Sequence, residues 1–142
     1  MKVQIKRVYD APAAGDGMRV LVDRLWPRGL TKQAAALDLW LKDVAPSNEL
    51  RKWYHAHLQQ WGEFRRRYLR ELSNDKAQAA LQQLYDLARQ KRGLTLLFSS
   101  KEVERNNALV LKQLLDGERK PPTGTGPERA VSAARARAVR RR

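Results

Sequence analysis

Three cations stand where side chains could do chemistry. Arg24 and Arg28 lie four residues apart with Trp26 and Pro27 between them, and Lys101 follows Ser99 and Ser100 at the end of an apolar run. A guanidinium is a planar five-donor fork that matches a carboxylate or a phosphate, and an ammonium is a compact positive charge. The chain has no cysteine and only two histidines in 142 residues, so thiolate chemistry is excluded. Any catalysis would rest on electrostatic stabilisation by these cations, with Lys101 or Asp23 as the proton carrier. Arg24, Trp26, Arg28, Ser47, Ser99 and Ser100 are the candidate ligand-binding residues around that pair.

The elements that must position them read as strands and helices in alternation. A first strand is expected over about Val3 to Tyr9 and a second over about Met18 to Asp23. Pro27 and Gly29 then end regular structure, and Thr31 caps a short helical turn through Ala36. Leu37, Leu39 and Leu41 alternate with polar or amphipathic residues, which predicts a half-exposed strand to Val44. Ser47 caps the next helix and Glu49 suits its positive end. Trp61, Phe64, Tyr68 and Leu72 share a face of the following helix, and Asp75 to Arg92 carries the clearest helical spacing. Leu94 to Phe98 is a short apolar run of the buried-strand type, and a last helix is expected over about Val103 to Leu115. The pattern predicts one α/β domain: a mainly parallel sheet of about four strands with helices on both faces. Ligands of open α/β sheets bind beyond the carboxyl ends of the strands. Arg24–Gly29, Ala45–Ser47 and Ser99–Lys101 all fall at such ends, and the helix starts after Ser47 and Lys101 add backbone donors.

Each residue also has a plainer use. Arg24 can pair with Asp10, Asp23 or Asp43, Trp26 can anchor packing, and Ser47 can be a helix cap alone. Ser99 and Ser100 lack the glycine-flanked elbow of a serine nucleophile. His55 and His57 are two apart on a helix and face different sides, so no metal site and no cofactor are expected. Gly15-Asp16-Gly17 is too short for a nucleotide-binding glycine loop and reads as a turn.

The net charge of +14 favours anionic partners but is unevenly spread. Residues 117–142 hold eight Lys/Arg and two Asp/Glu, which leaves 21 and 13 in residues 1–116. The division predicts a folded domain over 1–116 and a Pro/Gly- then Arg-rich tail over 117–142, without enough apolar surface to order itself. A nucleic-acid-binding module is therefore the alternative to a small-anion site. Arg65, Arg66, Arg67 and Arg70 on one helix, with Arg140, Arg141 and Arg142 in the tail, would grip phosphates, while Trp40 or Trp53 stacks on bases. No apolar run approaches the roughly 20 residues of a membrane helix. The N-terminus alternates like a strand and carries no apolar leader, so no membrane contact and a cytoplasmic location are expected; the oligomeric state is left open.

Four segments carry a resemblance. Lys6–Asp10, Val22–Gly29, Ala45-Pro46-Ser47 followed by Glu49–Trp53, and Thr95–Lys101 resemble the YeaO-like family, small bacterial proteins of unknown function. The resemblance runs from about Lys2 to Leu115 and implies an α/β fold and a cytoplasmic bacterial protein, with no established activity. Two positions depart from the family pattern. Glu102 follows the lysine where the family usually has aspartate, and Asn106-Asn107-Ala108 stands where it usually has Asn-His-Ala. Any chemistry resting on that histidine in relatives is absent here.

Overall fold

The computed structural model describes residues 2–117. The tail arginines Arg140, Arg141 and Arg142 lie outside the described residues. Four strands, β1 (Val3–Arg7), β2 (Met18–Leu21), β3 (Leu39–Trp40) and β4 (Leu94–Phe98), form one sheet in the order β1-β4-β2-β3. Every neighbouring pair is parallel, with Ile5 and Val20 both opposite Leu96. Five helices accompany them: α1 (Lys32–Ala35), α2 (Asn48–Ala56), α3 (Trp61–Glu71), α4 (Asp75–Ala88) and α5 (Asn107–Gly117). The chain is a single α/β domain over these residues.

Side-chain alternation along the strands builds two unequal cores. Val20, Val22, Leu94, Leu96 and Phe98 pack with residues of the four longer helices, including Leu50, Tyr68, Leu84 and Leu111. On the other face Val8, Leu21 and Leu97 meet only Ala35 of α1 and the partly buried Trp26, Leu30, Leu37 and Trp40. The central strand β4 is buried throughout, as its unbroken apolar run requires.

The connection from β1 to β2 spans only residues 8–17, yet it must pass the position of β4. Asp16 makes this short crossover stable. Its carboxylate accepts from Lys6 Nζ at 3.2 Å, Arg19 Nη1 at 2.5 Å and the Ala13 N–H at 3.0 Å, while its carbonyl accepts from Thr95 Oγ1 at 2.6 Å. Burial raises the Asp16 pKa, but the hydrogen bonds from Ala13, Arg19 and Lys6 outweigh it and hold the carboxyl below the usual carboxylate range.

The first two strands end two residues early, at Arg7 and Leu21, and three elements differ more from the sequence expectation. The strand expected over Leu37 to Val44 shrinks to Leu39–Trp40, and a 3-10 turn over Lys42–Val44 follows. Leu41 N–H makes the last bond to Leu21, and Val44 then turns into the core, where the Tyr68 hydroxyl donates to its carbonyl. The last helix starts at Asn107, not near Val103, because the Asn106 side chain accepts from Leu109 N–H at 3.0 Å and caps it there. Helix α4 stops at Ala88, ahead of the turn that leads to Gly93. Among the described residues no helix is long and apolar enough to cross a membrane.

Candidate functional site

The carboxyl ends of the strands hold two separate constructions. The first is a knot centred on Asp23, just past β2. Its Oδ2 accepts from both Ser99 N–H and Ser99 Oγ at 2.8 Å, and its Oδ1 accepts from Asn107 Nδ2 at 3.2 Å. Asn107 Nδ2 also reaches Val22 O at 3.0 Å, and Trp40 Nε1 donates to Asp23 O at 2.7 Å. One residue thereby ties together the ends of β2, β3 and β4 and the start of α5. Burial pushes the Asp23 carboxyl above its ordinary pKa, and the hydrogen bonds from Ser99 and Asn107 and the Arg51 charge offset only part of that rise.

The second construction is a cavity of about 210 Å³ on the side of α2, α3 and α4. Arg24, Asp43, Ala45, Ser47 and Glu71 line it, with Leu72, Asn74 and Ala77 completing the wall. Arg24 is fixed by donating Nε–H to Pro46 O at 3.1 Å and Nη2–H to Ala45 O at 3.0 Å. Those two bonds use two of the five guanidinium N–H groups. Ser47 caps α2, accepting from Leu50 N–H at 3.1 Å, and its hydroxyl donates to Glu71 Oε2 at 2.6 Å while its N–H donates to Oε1 at 2.8 Å. Beneath this wall the Tyr68 hydroxyl has its pKa pushed well up, first by burial and then by the charges of Asp23 and Glu71.

The sequence candidates thus divide. Arg24 and Ser47 line the cavity; Asp23 and Ser99 belong to the knot. Arg28 and Lys101 are exposed, and their charged groups have no polar partner among the described residues. Ser100 is held at the backbone, with Arg7 Nε donating to its carbonyl at 3.0 Å, and its hydroxyl accepts from Glu102 N–H at 2.9 Å. Trp26 donates Nε1–H to Leu30 O at 2.7 Å and meets Trp40 edge to face at 5.4 Å, so it closes its own loop and packs.

The alternative basic surface is largely committed to the protein itself. Arg66 and Arg67 pair with Glu63, Arg65 donates to Gln113 at 3.1 Å, and Arg70 stays exposed. Trp53 carries Arg67 over its ring at 4.2 Å and stacks on His57 at 4.7 Å, while Trp40 carries Lys42 at 4.2 Å. Among the described residues no group of three His, Asp or Glu is placed to hold a metal ion.

Asp43, Glu71 and Asn74 carry no local sequence signal for a site. Glu71 reads as one acid at the end of an arginine-rich helix, and only the fold brings it to Ser47, 24 positions earlier. The signal for Asn107 was available, because it stands at a departure from the family pattern and turns out to touch Asp23.

These features define a small α/β protein with a polar cavity and a hydrogen-bonded carboxylate knot at the strand ends. The chain belongs to the family described as the inactive DUF488-N3 subclade, whose model matches residues 2–132. It is 47% identical over 115 residues to the uncharacterised protein YeaO of Escherichia coli K12, covering 81% of this chain and 97% of that one. It is also 42% identical over 116 residues to the uncharacterised protein Rv3073c of Mycobacterium tuberculosis H37Rv, covering 82% and 95%. It is therefore a YeaO-like protein of unknown function. No solved structure is significantly similar to it.

Proposed function

We propose that this domain binds a small molecule bearing a carboxylate or phosphate in the cavity at Arg24, and does so without turning it over. One observation carries the reading: a guanidinium in the cavity wall is held still by two backbone carbonyls, and its three remaining N–H groups have no acceptor among the described residues. A pre-oriented fork loses little entropy when an anion docks, and charged, bidentate hydrogen bonds are the strong ones.

Binding without turnover is supported at the knot. Asp23 is saturated by Ser99 and Asn107. Position 107 holds an amide, which has no proton to give near neutral pH, where the YeaO-like family usually carries histidine. Independently of position 107, the family's description as inactive favours binding over turnover. Lys101 then serves as a peripheral cation that attracts the ligand. We place the protein in the cytoplasm, in keeping with a chain that has no cysteine.

The test is a titration of the isotope-labelled protein with propionate and with inorganic phosphate, followed by amide and guanidinium NMR shifts. Shifts should centre on Arg24, Ser47 and Leu72. The Arg24→Lys variant keeps the charge but loses the fork, and should weaken binding about tenfold, the worth of one charged hydrogen bond. Shifts confined to Arg28 and Lys101 would refute the cavity. Salt-sensitive binding of a DNA duplex, lost on mutating Arg65 and Arg70, would put the nucleic-acid module in its place.

A further inference from the structure

We infer that the ligand of this cavity is a zwitterion of the amino-acid type, its carboxylate on Arg24 and its ammonium facing Asp43 and Glu71. The inference rests on the Arg24 reading above and adds the second charge. The wall that supplies Arg24 also supplies two carboxylates, Asp43 and Glu71. Opposite charges lining so small a space ordinarily collapse onto each other, yet none of the ion pairs among the described residues joins Arg24 to either acid.

Two of the three charges are anchored and the third is left without a partner. Arg24 is anchored away by the Ala45 and Pro46 carbonyls, and Glu71 is anchored by the Ser47 N–H and hydroxyl. Asp43 has no hydrogen-bond or ion-pair partner among the described residues. A purely anionic ligand would meet Arg24 and be repelled by both acids. A purely cationic one would meet the acids and be repelled by Arg24. A molecule carrying both charges satisfies all three side chains at once.

Size sets the scale of the occupant. A dry cavity of about 150 Å³ takes benzene, with its six heavy atoms. By that measure a cavity of about 210 Å³ holds a molecule of about eight. Small amino acids fall in that range.

Matched probes separate this inference from the reading beneath it. Glycine, β-alanine and γ-aminobutyrate would be titrated against acetate, propionate and butyrate, which share their carbon chains and lack the amine. The best zwitterion should bind about tenfold or more tightly than its carboxylate partner, the worth of one hydrogen bond to a charged group. Asp43→Asn, at an exposed side chain without a hydrogen-bond partner, should erase that preference and raise the affinity of the simple carboxylates by removing one repelling charge. Carboxylates that bind at Arg24 as tightly as the zwitterions would overturn the amine and leave the anion site standing. No shift at Arg24 or Ser47 with any of the six probes would overturn both.

Discussion

Asp23→Ala is the substitution whose cost the knot fixes most tightly. Removing the carboxylate takes the acceptor from Ser99 N–H, from Ser99 Oγ and from one of the two contacts of Asn107 Nδ2. The Ser99 hydroxyl can rotate and Asn107 keeps Val22 O, but the half-buried Ser99 N–H loses its protein acceptor. Stranding a fully buried donor costs about 1–3 kcal/mol and a half-buried one less, and each lost hydrogen bond to a charged group costs about 1.5–3 kcal/mol. Part of this returns, because the variant no longer holds a carboxylate whose ionisation burial opposes. A net loss of about 3 kcal/mol follows, near 12 °C in melting temperature at about 4 °C per kcal/mol for a domain of this size. Urea unfolding at pH 7 measures it, and the Ser99→Ala cycle tests its origin. That change alone should cost about 1 kcal/mol and almost nothing in the Asp23→Ala background, since the hydroxyl would have lost its acceptor. The pH dependence has a definite sign. A raised folded pKa means the folded state holds the proton longer, so the Asp23 contribution to stability falls as pH rises from about 4 through the folded value. Asp23→Ala should remove that decline. A loss below about 1 kcal/mol, or strict additivity with Ser99→Ala, would show that Asp23 does not tie the strand ends together.

Substitutions at Gly17 and Asp16 probe the crossover, with Gly29 as the control. At Gly17, with φ of 64°, an added Cβ would lie 2.3 Å from Arg92 O, whereas at Gly29, with φ of 76°, it meets nothing within 4 Å. Gly17→Ala should therefore cost about 3 kcal/mol or more and Gly29→Ala about 1 kcal/mol; equal losses in thermal melts would contradict the close approach. Asp16→Asn leaves the buried Arg19 short of its counter-charge and should cost about 3 kcal/mol at pH 7. Because the Asp16 pKa is lowered in the fold, its stabilisation is present above about 4 and lost as pH falls through the folded value, so the variant's acid unfolding limb should be flatter than wild type.

How much of this was legible in the sequence depends on the range of the interaction. Periodicity located the buried strand Leu94–Phe98, the α4 face and the Ser47 cap, because each is decided by residues within a turn or two of one another. The strand expected over Leu37 to Val44 was misjudged for a long-range reason. Its alternation is real, but Leu37 packs on the Trp26 side of the sheet while Leu39 and Leu41 pack on the main core, and the Tyr68 contact with Val44 bends the chain. The sequence marked the strand ends as the place to look for a site, and the Asp23 hydrogen bonds and the Arg24 cavity are built there. Which residues share a cavity there was not legible, since Arg24, Asp43, Ser47 and Glu71 come from four segments.

The division of the strand ends into a hydrogen-bonded knot and an open cavity bears on what a family member can do. A carboxylate at the end of a parallel strand, next to a serine hydroxyl, is a layout in which proton chemistry could operate if its third neighbour titrated near neutral pH. Here the third neighbour is Asn107, whose amide donates to Asp23 and to Val22 O and so serves to close the sheet. Burial makes Asp23 harder to ionise, while the hydrogen bonds from Ser99 and Asn107 favour its charged form. Asn107→His is the change that separates these roles. An imidazole there, hydrogen-bonded to Asp23, should show a raised pKa by NMR if the carboxylate is charged, and an ordinary or lowered one if Asp23 keeps its proton. The cavity at Arg24 should bind its ligand unchanged in that variant, because no wall residue touches position 107 through a hydrogen bond. Loss of binding on Asn107→Asp or Asn107→His with the fold intact would mean that knot and cavity are one site.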